Sequence, residues 1–260
     1  MVVAIQLGLS IGNSRYHWAW FLNTKFQASW DTEYLDLNRY LGFLPIDCQR
    51  IINQVSIEID LIPIYLISVV PSQTLLWQQL PQTKLITRTH IPLLDLYPTL
   101  GIDRSLTTFG AGSMYGFPIL VIDGGTALTI TGVDDRHRLI GGAILPGLKL
   151  QLRSLSDGTA ALPEIALPDR LPPRWSNNTP DAIASGVVYT VIAGISDFMH
   201  DWQQLFPDAD IILTGGDGEL LTRYLQAYLS ISLLEKIRFD RNLLFTGLAA
   251  ILPEHRSNRL

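Results

Sequence analysis

Two short segments place glycine beside hydroxyl and amide side chains at the end of an apolar run: Ser10-Ile11-Gly12-Asn13-Ser14 and Asp123-Gly124-Gly125-Thr126. Each reads as a strand, a glycine turn and a second strand. Glycine lets backbone N–H groups approach a phosphate closely, and a neighbouring hydroxyl adds a donor. Asp123, at a strand end, can hold a cation or a water. A third turn, Leu213-Thr214-Gly215-Gly216, leads into a helix and allows close passage of a purine or ribose. One such turn alone is an ordinary hairpin, because glycine and asparagine tolerate positive φ. Two of them, 113 residues apart when Gly12 is matched with Gly125, point to a duplicated three-stranded unit around a cleft. Asp103 and Arg104, read alone, are a surface ion pair, worth little.

The surrounding elements must hold these groups. Residues 1–9 read as a strand, and 16–21, rich in aromatics, as its hairpin partner. Residues 31–57 hold a helix and connections. A buried strand follows over 65–70, a helix opened by Pro71 runs to Leu80, and a short strand covers 84–87. Residues 117–123, 127–133 and 138–140 form a meander. From 177 to 206, Ile183, Val187, Val191, Ile195, Phe198, Trp202 and Leu205 recur at helical spacing. Thr179 reads as the N-cap with Pro180 first in the helix. Val188, Ile192 and Met199 lie off that face, so the helix should be buried all round, which a subunit contact would achieve. A strand at 211–214 and helices at 219–229 and 242–252 follow, before a polar, frayed tail from Glu254.

Composition narrows the field. The chain has 260 residues, 47% hydrophobic and 17% charged, which excludes a disordered protein. A net charge of −5 argues against nucleic-acid coating. The mean hydropathy of +0.22 raises a membrane reading. The most apolar stretch, Leu61 to Val70, is too short to span and contains Pro63. The single cysteine, Cys48, excludes an internal disulfide and fits a cytoplasmic protein and a core position. His17, His90, His137, His200 and His255 lack metal-ligand spacing. Trp18, Trp20 and Trp30 read as core residues.

In order and spacing, the segments resemble the sugar kinase, Hsp70 and actin superfamily, and more closely its type III pantothenate kinases. The matching pieces are IGNS at 11–14, SVVPSQT at 68–74, GIDR at 101–104, IDGGTALTI at 122–130 and GGAILPG at 141–147. LPEI at 162–165, NTPDAIASG at 178–186 and TGG at 214–216 complete the set. The resemblance implies an α/β fold of two ribonuclease-H-like (actin-like ATPase) halves, 1–115 and 116–260, with a central nucleotide cleft. It implies ATP-dependent phosphorylation of pantothenate, the first step toward coenzyme A, by a cytoplasmic homodimer with no nucleic-acid or membrane partner.

The resemblance also assigns residues. Ser10, Ile11, Gly12, Asn13, Ser14, Arg15 and Thr126 would contact ATP. Asp123 would hold a monovalent cation, potassium or ammonium, with Mg2+ accompanying the nucleotide. Asp103 would be the base that takes the proton of the pantothenate hydroxyl. Tyr97, Gly101, Ile102, Asp103, Arg104 and Thr179 would bind the substrate. One position departs from the family: Ser10 stands where an aspartate is usual, keeping an oxygen but losing the charge magnesium prefers. That departure keeps open a non-catalytic nucleotide-binding regulator; a kinase for another hydroxylated metabolite is a further alternative.

Overall fold

The computed structural model describes residues 4–37, 39–229 and 231–252. The calls on residues 1–3 and on the tail from Glu254 lie outside these. The chain divides into two units, Met1–Ser113 with the C-terminal segment from Leu244, and Met114–Leu243.

The first unit contains β1 (Ile5–Ile11), β2 (Tyr16–Leu22), β3 (Lys25–Thr32), α1 (Ile46–Val55), β4 (Ile64–Ser68), α2 (Pro71–Trp77), β5 (Thr83–Leu85) and α3 (Ile102–Tyr115), whose last two residues fall past the division. Its sheet runs β3-β2-β1-β4-β5, with β1 antiparallel to β2 and parallel to β4. Every residue of β1 is buried, as a central strand requires. Ile5, Leu7, Leu9 and Ile11 face a cluster with Tyr16, Trp18, Trp20 and Trp77. Trp18 meets Trp77 edge-on at 5.2 Å and stacks on Tyr40 at 5.9 Å, so the tryptophans here are core. Cys48 is buried in the same cluster, and burial pushes its thiol up to about 11.

Alternation along β1 turns Gln6, Gly8 and Ser10 to the opposite face. There the C-terminal helix packs: a Cβ on Gly8 would lie 2.6 Å from Leu248 Cδ2. Gly247 of the same helix lies against the Leu106 carbonyl of α3. The last helix therefore ties α3 to the sheet, although the whole second unit separates it in sequence.

The second unit contains β6 (Ile119–Gly124), β7 (Ala127–Val133), β8 (Leu139–Pro146), α4 (Leu148–Gly158), α5 (Thr179–Leu205), β9 (Asp210–Thr214), α6 (Gly218–Tyr228), α7 (Ile231–Leu234) and β10 (Ile237–Phe239). The last helix, α8 (Leu243–Ile251), begins at its boundary. Its sheet order, β10-β9-β6-β7-β8, repeats that of the first unit strand for strand. The duplication inferred from the two glycine turns is thus a duplication of the whole sheet, and the chain is an α/β protein of two such units.

Several expectations need correction. The strand expected at 1–9 runs to Ile11, so Ser10 and Ile11 belong to β1 and the turn starts at Gly12. Asn178, not Thr179, caps α5: its side chain accepts from the Asp181 N–H at 3.0 Å. α5 is not buried all round within this chain, since Ala182, Gly186, Thr190, Ala193 and Gly194 are exposed and Phe198 is 42% exposed. By length and composition α5 could cross a membrane. Its other face, from Ile183 to Trp202, fills the core of the second unit.

Candidate active site

The first turn closes β1 onto β2. Gly12 N–H donates to the Arg15 carbonyl at 3.3 Å, and Tyr34 Oη donates to the Gly12 carbonyl at 2.6 Å. Tyr34 stacks on Tyr16 at 4.8 Å, and Tyr16 Oη donates to Gln73 Oε1 on α2. The Ile11 carbonyl accepts from Val69 N–H, which draws the end of β4 alongside. Asn13, Ser14 and Arg15 are exposed, whereas the Ile11 side chain is in the core. Of the residues expected to contact ATP here, Ile11 can therefore act only through its backbone. Ser10 is buried and lies in register with His17 of β2 and Ile67 of β4.

The Gly-Ile-Asp-Arg segment opens α3. Gly101 accepts from both the N–H and the hydroxyl of Ser105, at 3.0 and 2.9 Å. Asp103 folds back over Gly101, and a Cβ there would lie 2.6 Å from Asp103 Oδ1. Only glycine leaves room for that carboxylate, which explains the spacing of the motif. Asp103 Oδ1 accepts from Arg104 N–H at 2.7 Å. Burial raises the Asp103 pKa above its ordinary 3.8, with that hydrogen bond and the Arg104 charge opposing. Arg104 is itself buried, and its Nη1 donates to Tyr97 Oη at 3.2 Å. The surface-pair reading of Asp103 and Arg104 is thereby excluded. Tyr97 joins them through its hydroxyl, while the Ile102 side chain points into the protein.

In the second unit, backbone holds the turn. Gly147 N–H donates to the Thr126 carbonyl at 2.9 Å, and Asp217 N–H to the Gly124 carbonyl at 2.8 Å. A Cβ on Gly147 would lie 2.0 Å from the Gly125 carbonyl oxygen. Asp123 lies in register between Thr129 of β7 and Thr214 of β9, with its carboxylate against the backbone of Gly215. Thr126 is exposed at the tip. The three segments Gly124–Thr126, Pro146–Lys149 and Thr214–Gly218 thus converge, with the buried Asp217 holding Lys149 Nζ at 2.5 Å. Lys149, Asp217 and Asn178 were not expected from the sequence; a lysine after Pro-Gly and an aspartate after Gly-Gly were the only signals. Thr179 lines an open pocket of about 580 Å3 with Leu162, Asn177, Asn178 and Ile183. That pocket unites the LPEI and NTPDAIASG segments.

The groups present fit a nucleotide. The exposed hydroxyls of Ser14 in the first unit and of Thr126 in the second each suit a phosphate oxygen. Among the described residues, no cluster of three or more acidic, histidine or cysteine side chains forms a metal site. Magnesium held mainly by phosphates needs no such cluster.

Two matching sheets, each with a glycine turn between its first two strands, define an actin-like, ribonuclease-H-like α/β fold. Solved structures share it: a Campylobacter jejuni protein described as a Baf family transcriptional activator has TM-score 0.62 at 21% identity, covering 94% of this chain and 96% of its own. The activator of the 2-hydroxyisocaproyl-CoA dehydratase from Clostridium difficile, solved with ADPNP, has TM-score 0.53 at 11% identity, with 95% and 92% covered. The chain belongs to the type III pantothenate kinase family, whose sequence model matches residues 6–201. Type III pantothenate kinases of Synechocystis sp. and Nostoc sp. are 46% and 44% identical to it. The alignments cover 94% of this chain and 89% of the first relative, and 95% and 94% for the second.

Proposed function

We propose that this chain performs its family's reaction, ATP-dependent phosphorylation of pantothenate toward coenzyme A, with Asp103 as the general base. The observation that carries this reading is the Asp103 carboxylate fixed over Gly101 beside the buried Arg104. The pantothenate hydroxyl oxygen bonds to the γ-phosphorus, the bond to the β–γ bridging oxygen breaks, and the hydroxyl proton passes to Asp103. Phosphoryl transfer asks mainly for positioning and charge compensation, so a well-placed carboxylate suffices. Arg104, braced by Tyr97, supplies the cation at the substrate end, with Gly101, Thr179 and the backbone of Ile102 as further substrate contacts.

Ser10, Gly12, Asn13, Ser14 and Arg15 serve the nucleotide through the first turn, with Ile11 contributing backbone only, and Thr126 serves it through the second. Asp123 would hold a monovalent cation, potassium or ammonium, and magnesium on the phosphates would supply charge neutralisation at the transferred group. The exposed small-residue side of α5 supports a homodimer, and the single, buried cysteine fits the cytoplasm. ADP release coupled to pantothenate, measured with and without potassium or ammonium, tests the reaction. ATP binding without pantothenate-dependent ADP release would make the protein a nucleotide-binding regulator instead; release with another hydroxylated metabolite would reassign the substrate. Light scattering of the purified chain tests the dimer.

A further inference from the structure

Beside the first turn, two side chains that the reaction above leaves unused, His17 and Asp31, line up with Ser10. Ser10, His17 and Asp31 are directly opposed across β1, β2 and β3, so they lie in one row on one face of the sheet. Asp31 uses both carboxylate oxygens: Oδ1 is 2.7 Å from His17 Nδ1 and Oδ2 is 3.4 Å from Arg15 Nη1. With Nδ1 engaged, the other ring nitrogen is turned toward the glycine turn, where Nε2 lies 3.9 Å from the position of a Cβ on Gly12. The Gly12 carbonyl on that turn is already taken by Tyr34. Asp31 thus draws a guanidinium and an imidazole to the rim of the first glycine turn.

These side chains are about half exposed, and ion pairs of that kind contribute little to folding. Their value lies in what they present. A guanidinium and an imidazole N–H donate to phosphate oxygens, and hydrogen bonds to an ionised acceptor are strong. The residue at position 10 matters to this. An aspartate there would stand beside His17 at a cross-strand separation of about 5 Å and compete with Asp31 for the ring. With Ser10 the ring has Asp31 as its carboxylate neighbour in the row.

We propose that Asp31 is the positioning residue of a phosphate clamp, holding His17 and Arg15 at the first glycine turn so that nucleotide charge there is met by side chains rather than by a carboxylate-bound metal at position 10. This rests on the nucleotide-binding reading of the turn. The clamp takes the polyphosphate of a nucleoside triphosphate, and Asp31 touches neither substrate.

The test is calorimetric titration of ATP into the full chain, once with EDTA and once with excess magnesium, alongside steady-state kinetics. Wild type is expected to keep measurable ATP affinity in EDTA. Asp31→Asn and His17→Gln are each expected to weaken it about tenfold, the size of one lost charge-assisted bond. KM for ATP rises in step, while kcat and the KM for pantothenate change less than about twofold, a split that a general structural defect would not give. Asp31→Glu recovers part of the loss. Ser10→Asp shifts binding toward magnesium, with weaker affinity in EDTA. Unchanged ATP affinity in Asp31→Asn, with wild-type binding intact, overturns the clamp and leaves the kinase reading standing. Wild type that binds ATP in magnesium but not in EDTA also overturns the clamp alone. Wild type that binds ATP in neither condition overturns both.

Discussion

The two glycine turns occupy the same place in two sheets of the same order, yet they are built differently. Matching Gly12 with Gly125 sets Ser10 against Asp123. In the second unit a carboxylate stands at the strand end, and the turn is locked by backbone contacts from Gly147 and Asp217. In the first unit the strand end carries a hydroxyl, the nearest carboxylate of the row is two strands away at Asp31, and side chains close the turn. Duplicated topology therefore conserves the strand order and the place of the turn but not the side chain at the strand end. Around the second turn an added Cβ collides with backbone or carboxylate at Gly147 and Gly215, although at Gly125 itself its nearest neighbour is 3.4 Å away. Side-chain closure leaves the first turn open to substitution.

The sharpest separation of chemistry from architecture is Asp103→Asn. It keeps the shape at the start of α3, so turnover is expected to fall about 10²–10⁴-fold while ATP affinity stays nearly unchanged. Retention of most of the turnover would remove Asp103 from the role of base. In the second unit, Gly147→Ala should do the opposite. A Cβ 2.0 Å from the Gly125 carbonyl forces backbone apart, at a cost of about 2–4 kcal/mol, read as a lowered denaturation midpoint. A smaller effect follows from the raised Asp103 pKa. The folded state favours the protonated acid, so the stability linked to this group is full below 3.8 and is lost as pH rises through the raised value. Asp103→Asn should then melt higher than wild type at neutral pH, with the difference closing in acid. The same direction places the acid limb of kcat/KM above the ordinary carboxylate range, because the base must be ionised. The smallest effect is expected for Gly12→Ala. A Cβ there meets nothing nearer than 3.9 Å, so stability should change by less than about 1 kcal/mol. A large loss would mean that the first turn is as tightly built as the second.

Much of this arrangement was legible from residue order. The glycine turns, the buried strands and the long periodic helix α5 announce themselves, because apolar periodicity and turn chemistry are local signals. Other elements were not. β3 is a half-exposed edge strand whose residues Lys25–Thr32 show a weak apolar pattern, so nothing local marked it. α3 is rich in threonine, serine and glycine, poor helix formers, and it is helical because it is packed almost all round. Asn178 and Thr179 are both capping types; the reach of the Asn178 side chain to the Asp181 N–H decided between them.

The sequence by itself determined the duplicated strand–turn–strand plan, the glycine–hydroxyl turns and the Asp103-Arg104 pair, since spacing and residue type survive without knowledge of contacts. Only the tertiary structure decided that the half-buried Asp103 folds over Gly101, that Tyr97 braces Arg104, and that Ser10, His17 and Asp31 share one row. Those relations join residues on different elements. They depend on strand register and helix packing, which no local pattern encodes.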